Sequence, residues 1–134
     1  MPQWRCAALL TLACAVLTGC STLGERETAA SAAAESFANS LRHFDGTRAC
    51  AALAPETRQE LEQSAKASCA RAILDEQLPD AGALQDIEVY GQQARAVLTT
   101  DTLFLSSFPA GWMITAAGCV PRPHQPYQCQ VKGG

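Results

Sequence analysis

The spacing of hydrophobic residues divides the chain into a helical first part and a strand-rich second part. Apolar residues recur every three or four positions from Ala29 to Phe44, which predicts an amphipathic helix. Asp45-Gly46 is expected to end this helix, and Thr47 to cap the next one. Three shorter helices are predicted at residues 47–53, 56–64 and 68–78. Pro55 suits the first position of the second of these three.

A turn signature at Pro79-Asp80-Ala81-Gly82 marks the change to strand periodicity. Apolar and polar residues alternate beyond it, which predicts antiparallel strands. The predicted strands cover residues 86–90, 93–99, 102–108, 112–117 and 127–131. Residues 120–126 contain three prolines and are expected to form a stiff loop. Helices followed by a meander of four to five antiparallel strands predict an α+β domain in two layers.

The first twenty residues have the layout of a secretory signal. Arg5 precedes an apolar run from Cys6 to Leu17, which is too short for a membrane-spanning helix. The run ends in Leu17-Thr18-Gly19-Cys20, which resembles the lipobox of bacterial lipoproteins. That resemblance implies that residues 1–19 are removed and that the thiol of Cys20 receives a diacylglycerol. The alternative is an ordinary cleaved signal peptide with an incidental cysteine.

The predicted mature chain runs from Cys20 to Gly134, which is long enough for one domain with one core. Residues 20–28 are polar and are expected to form a short lipidated tether, followed by a domain at 29–134. Two acyl chains satisfy the condition for stable anchoring. We therefore expect the protein on the extracytoplasmic face of the cell membrane, held by the lipid at Cys20.

The charge of the mature chain is mildly acidic. Of the ten basic residues Arg5 leaves with the signal, so nine face thirteen acidic residues and the net charge is −4. This balance argues against nucleic acid as a partner and against a polybasic membrane patch. Phosphate-loop, nucleotide and calcium-loop motifs do not occur in the sequence, so no cofactor is expected.

Four of the seven cysteines remain once the signal is removed and Cys20 is acylated. They are Cys50, Cys69, Cys119 and Cys129. An even number of cysteines in an exported domain predicts two disulfides, for which three connectivities exist. We favour Cys50–Cys69 and Cys119–Cys129, because each pair lies within one local unit. The competing metal site would need short ligand spacings that the sequence does not contain.

Two resemblances extend beyond the lipobox. The order of elements is similar to the cone-shaped fold of the nuclear-transport-factor-2-like superfamily, which includes ketosteroid isomerases and small polyketide cyclases. The chain also resembles small uncharacterised lipoproteins of high-GC Gram-positive bacteria. The residues that carry the second likeness are the lipobox, Cys50, Leu53-Ala54-Pro55-Glu56-Thr57, Cys69, Phe104-Leu105, Gly111-Trp112, Ala116-Ala117-Gly118-Cys119 and Pro126-Tyr127-Gln128-Cys129. The cone fold implies that the N-terminal helices pack on the concave face of a curved antiparallel sheet of four to five strands and leave a pocket.

Five residues are candidates for the lining of such a pocket. They are Phe37, Tyr90, Asp101, Phe104 and Trp112. The same aromatic residues would instead fill the core if the cone is not hollow. An isomerase-like site needs a carboxylate base and a neutral donor in an apolar cavity, for which Tyr90 or Asp101 is the candidate and Glu88 the third choice. His43 and His124 are expected to have structural or surface roles.

The sequence favours a binding or interaction module of the cell envelope, because it has an anchor and a scaffold but no catalytic constellation. Its ligand would be a small apolar molecule or an envelope protein. The alternatives are an isomerase or cyclase acting in the pocket, and a pure interaction module with an exposed apolar patch.

Overall fold

The computed structural model describes residues 22–134, which form an α+β domain as predicted. The helices are α1 (Leu23–Arg42), α2 (Gly46–Ala51), α3 (Pro55–Ala65) and α4 (Cys69–Asp75). The strands are β1 (Leu84–Tyr90), β2 (Gln93–Leu98), β3 (Thr102–Phe108), β4 (Gly111–Arg122) and β5 (Gln125–Lys132). The predicted signal peptide and the predicted lipid attachment at Cys20 lie outside the described residues.

The first helix begins at Leu23, before the predicted start at Ala29. Thr22 caps it, because the Thr22 hydroxyl accepts a hydrogen bond from the backbone N–H of Glu25 at 3.2 Å. The Glu25 carboxylate in turn accepts from the backbone N–H of Thr22 at 3.0 Å. This reciprocal capping box satisfies two N–H groups at the helix start. The part of the expected tether from residue 23 to 28 is therefore helical.

The corner between α1 and α2 differs from the prediction in two details. Phe44, and not Gly46, takes the left-handed conformation, with φ of 54°. Gly46 is the first residue of α2, and a Cβ there would lie 2.0 Å from the carbonyl oxygen of Ala70. Asp45 caps α2 by accepting from the backbone N–H of Arg48 at 3.0 Å, in place of Thr47. The close approach of α2 to the start of α4 thus requires glycine at position 46.

Both predicted disulfides are confirmed. Cys50–Cys69 joins α2 to α4, with the two Cα atoms 5.9 Å apart. Helices of six and seven residues are too short to be stable alone, so this bridge holds a pair that needs support. Cys119–Cys129 joins residues that lie directly opposite each other on β4 and β5.

The five strands form one antiparallel sheet in the order β1-β2-β3-β4-β5, with each strand beside its sequence neighbour. One face carries the core, which the helices cover. The largest apolar side chains of the core are those of Phe37, Leu53, Ile73, Leu103, Leu105 and Ile114. Along β2, buried Ala94 and Ala96 alternate with Gln93 and Arg95, which project from the other face.

The prediction of a loop at residues 120–126 was wrong. Strand β4 continues to Arg122, and the chain turns at Pro123-His124. Beyond Ala116, β4 pairs with β5 alone among the strands of residues 22–134, so no strand covers its other edge at Pro121. Pro121 lies at a register irregularity of this edge segment. Proline is tolerated at edges and irregularities, since no ladder hydrogen bond is lost there.

The end of the sheet curls back over the face opposite the helices. The ring of Tyr127 in β5 lies 5.1 Å from that of Phe104 in β3, edge to face. The Tyr127 hydroxyl also accepts a hydrogen bond from Arg95 of β2 at 3.4 Å. Because β5 is not a neighbour of β2 or β3 in the strand order, these contacts require a curved sheet. The bend falls at Gly118, whose φ is 64°.

Candidate ligand-binding groove

A groove with a volume of about 770 Å³ lies on the sheet beside the start of α3. Its size falls in the range of small-molecule sites. Three aromatic residues line it, namely Tyr90, Phe104 and Phe108. The main polar contributors are Glu56, Thr57, Gln93, Arg95, Ser106 and Lys132. The groove is therefore amphipathic.

Strand alternation places the aromatic and basic side chains together. Phe104 and Phe108 are four residues apart on β3 and so share a face. Arg95 pairs directly with Phe104 across β2 and β3. The start of α3 is held beside them, because the hydroxyl of Thr57 donates to the carbonyl oxygen of Thr115 at 2.9 Å.

A network of polar side chains lies along this face. A guanidinium nitrogen of Arg95 lies 2.5 Å from the carboxylate of Glu88, and the hydroxyl of Tyr90 donates to the same carboxylate. Arg95 also contacts the hydroxyl of Tyr127. The Nε atom of Arg95 is buried and has no hydrogen-bond partner among residues 22–134.

The pKa of the Tyr90 phenol depends on its hydrogen-bond partner, Glu88. The hydrogen bond that it donates to Glu88 raises the pKa of the phenol, which therefore stays protonated at neutral pH. The side chain is 60% exposed. An isomerase-type donor needs an enclosed apolar cavity, which this environment does not provide.

Asp101 lies away from the groove and has a structural environment. Its carboxylate accepts hydrogen bonds from the backbone N–H groups of Thr102, Gly118 and Cys119 at 2.8, 3.1 and 3.0 Å. Burial raises the pKa of this carboxyl, although the three N–H groups act in the opposite direction. Asp101 precedes β3, whereas Tyr90 ends β1 at the opposite end of the sheet. The structure does not bring the two candidate catalytic residues together.

The other predicted pocket residues are divided between groove and core. Phe104 lines the groove together with Tyr90. Phe37 is fully buried in the core, because it lies on the face of α1 that packs against the sheet. Trp112 is half-buried at the core margin, where the guanidinium of Arg26 lies 5.7 Å from its ring centroid. Neither of these two aromatic residues lines the groove.

The sequence analysis did not single out Arg95 and Lys132, which line the groove, or Tyr127, which contacts Arg95 and Phe104 beside it. The alternation of β2 could have identified Arg95. Tyr127 and Lys132 reach this region only through the curl of β4 and β5, which no local sequence pattern predicts.

The two histidines and the acidic residues give no metal centre within the described part of the chain. His43 follows α1 as its C-cap, and His124 lies in the β4–β5 turn; both are exposed. No helix between residues 22 and 134 is long and apolar enough to cross a membrane. The chain matches no protein-family model, no curated protein and no solved structure. Its function must therefore be argued from the groove itself.

Proposed function

We propose that this protein is a lipoprotein held at the extracytoplasmic face of the cell membrane through Cys20, and that its domain binds a small ligand without converting it. The groove of about 770 Å³ beside α3 is the observation that carries the binding proposal. The lipobox-like Leu17-Thr18-Gly19-Cys20 supports the anchor. The resemblance to cone-shaped domains stays a prediction and is not needed for this argument.

The groove favours a ligand that is largely apolar and carries a hydrogen-bond acceptor. Phe104 and Phe108 offer aromatic surface on one strand. Stacking and edge contacts with such rings favour flat or hydrocarbon groups. Gln93 and Ser106, which line the groove, supply side-chain donors for the acceptor. Because Glu88 already neutralises Arg95, we do not expect a strong preference for anions.

Binding without turnover is favoured because the groove lacks an activated group. The phenol of Tyr90 is exposed and held in its protonated form by Glu88. Asp101, the other candidate for proton transfer, is engaged by three backbone N–H groups at the far end of the sheet. An enzyme of isomerase or cyclase type would need other residues.

A fluorescent apolar probe, N-phenyl-1-naphthylamine, tests the binding proposal. Ser106 lines the middle of the groove, and Ser106→Phe should fill it and abolish the fluorescence increase of the probe. Val120 is 62% exposed on β4 outside the groove, so Val120→Phe is the matched control and should bind as the unmodified chain does. If Ser106→Phe and Val120→Phe bind the probe equally, this groove is not the ligand-binding site.

The anchor is tested separately by cell fractionation. The unmodified protein should remain with the membrane, and Cys20→Ser should be released in soluble form. Membrane retention of the Cys20→Ser protein would refute the lipid as the sole tether.

A further inference from the structure

The start of α1 lies against one end of the sheet. The guanidinium of Arg26 donates a hydrogen bond to the carbonyl oxygen of Gly91, which lies in the turn between β1 and β2. The same group lies over the ring of Trp112, which directly follows the turn between β3 and β4. These two contacts place the start of α1 beside both turns, and we call this the turn end of the domain.

The predicted lipid attachment is close in the sequence to the start of α1. Thr22 caps α1, and Cys20 is only two residues earlier in the chain. Two residues span at most about 7 Å. Because α1 is already helical at Leu23, no long flexible tether separates the domain from the lipid. An acylated Cys20 therefore brings the turn end to the bilayer.

The surface of the turn end suits a lipid interface. The two turns with their flanking residues, 90–93 and 108–113, contain no charged side chain. Leu23 and Tyr90 are exposed there by 58% and 60%. Tyrosine and tryptophan are favoured at membrane interfaces, where one part of the ring is apolar and another is polar. The opposite end of α1 differs, since exposed Phe44 stands among Arg42, His43 and Asp45.

The charges at the turn end are slightly acidic rather than basic, with two carboxylates and one guanidinium. Glu25, Arg26 and Glu27 lie in the first turns of α1, and the Glu25 carboxylate is held in the capping box. Contact with lipid would therefore be apolar, and we expect little dependence on the fraction of anionic lipid.

The geometry points to one fixed orientation, in which Leu23, Tyr90 and Trp112 face the bilayer and the groove opens beside the lipid surface. Tyr90 and Phe108 line the groove at the same end, so an apolar ligand has a direct route from the lipid phase. This inference rests on the proposed lipid anchor at Cys20, and it assigns the membrane as the source of the ligand.

Tryptophan quenching tests the orientation directly. The sequence has two tryptophans, Trp4 and Trp112, so Trp112 alone remains after removal of the signal. The lipidated protein is placed in phosphatidylcholine vesicles whose acyl chains carry bromine, a quencher that acts at short range. We expect a loss of Trp112 fluorescence relative to unbrominated vesicles, and no loss for the soluble Cys20→Ser protein.

A double variant, Trp112→Phe with Phe44→Trp, moves the fluorophore to the other end of α1, about 30 Å away. The tryptophan introduced at this exposed position should not be quenched. Co-flotation with the vesicles is measured first. Failure to float would overturn the anchor and the orientation together. Floating protein with unquenched Trp112, or with a quenched tryptophan at position 44, would overturn the orientation alone.

Discussion

The carboxylate of Asp101 accepts a hydrogen bond from the backbone N–H of Gly118, 3.1 Å away, across the bend in β4. The bond ties the β2–β3 turn to the point at which β4 leaves β3. Beyond this point the β4–β5 hairpin curls back, which brings Tyr127 onto Phe104 and Arg95 beside the groove. A residue that the sequence suggests for catalysis therefore has a structural role in shaping the binding face.

Removal of the Asp101 carboxylate should destabilise the fold. Asp101→Ala leaves three N–H groups without their acceptor, and we expect a loss of about 2–3 kcal/mol in the free energy of unfolding. Asp80→Ala is the matched control, because Asp80 is exposed and pairs only with Arg42 at 3.6 Å, a surface pair worth at most about 1 kcal/mol. Urea denaturation of both variants measures the difference; equal losses would contradict the role of Asp101.

The stability contributed by Asp101 should depend on pH. Burial raises the pKa of its carboxyl in the folded state above the ordinary value of 3.8, so the folded state holds the proton more tightly than the unfolded state. The part of the stability that comes from this tighter proton binding is fully present below 3.8 and is lost as the pH rises through the folded pKa, whereas the hydrogen bonds from the three N–H groups remain. The advantage of the unmodified chain over Asp101→Asn should therefore shrink across that window. If urea titrations show that the stability difference between the unmodified chain and Asp101→Asn grows as the pH rises, the pKa of Asp101 is not raised by folding.

Glycine at position 46 should be irreplaceable. A Cβ there would meet the Ala70 carbonyl oxygen at 2.0 Å, so Gly46→Ala must separate α2 from α4 at a cost of about 3 kcal/mol. Gly24 is also helical, but no atom of residues 22–134 lies within 4 Å of a Cβ added there. Gly24→Ala should raise the free energy of unfolding by about 0.5–1 kcal/mol. Thermal denaturation should lower the Tm of Gly46→Ala and raise that of Gly24→Ala. A shift of both Tm values in the same direction would contradict the close approach of α2 to α4 at Gly46.

The disulfide between Cys50 and Cys69 should contribute most of the stability of the two short helices α2 and α4. It closes a separation of 19 residues, for which the chain-entropy relation gives about 3 kcal/mol. The double variant Cys50→Ala with Cys69→Ala should lose about this amount in urea denaturation. Peptide mapping without reduction should recover Cys50 joined to Cys69; a link from Cys50 to Cys119 would contradict the fold.

Local patterns predicted much of this fold. Periodicity placed the helices and strands, Pro55 marked the start of α3, and the four cysteines paired as their spacing suggested. The predictions were wrong at positions where contacts between distant parts of the chain determine the local structure. Gly46 is needed for the approach of a distant helix and not for a turn. Pro121 is compatible with a strand only because no strand of residues 22–134 covers the other edge of that segment.

The groove was harder to predict than the fold. Two of the five expected lining residues, Tyr90 and Phe104, line it. Phe37 lies in the core and Trp112 at its margin, whereas Phe104 lines the groove. All three residues are aromatic, so residue type alone does not predict which of them faces the groove. The curl that brings Tyr127 onto Phe104 beside the groove depends on a bend at Gly118 and on the hydrogen bond from Gly118 to Asp101, two residues that are far apart in the sequence.

Native mass spectrometry of the Cys20→Ser protein, exported by a bacterial host, tests the central claim of ligand binding most directly. The denatured mass should lack four thiol hydrogens, as the two disulfides require. The native spectrum should contain a retained, largely apolar small molecule that is absent from Ser106→Phe and present in Val120→Phe. A bare monomer that also fails to bind an added apolar probe would contradict the account.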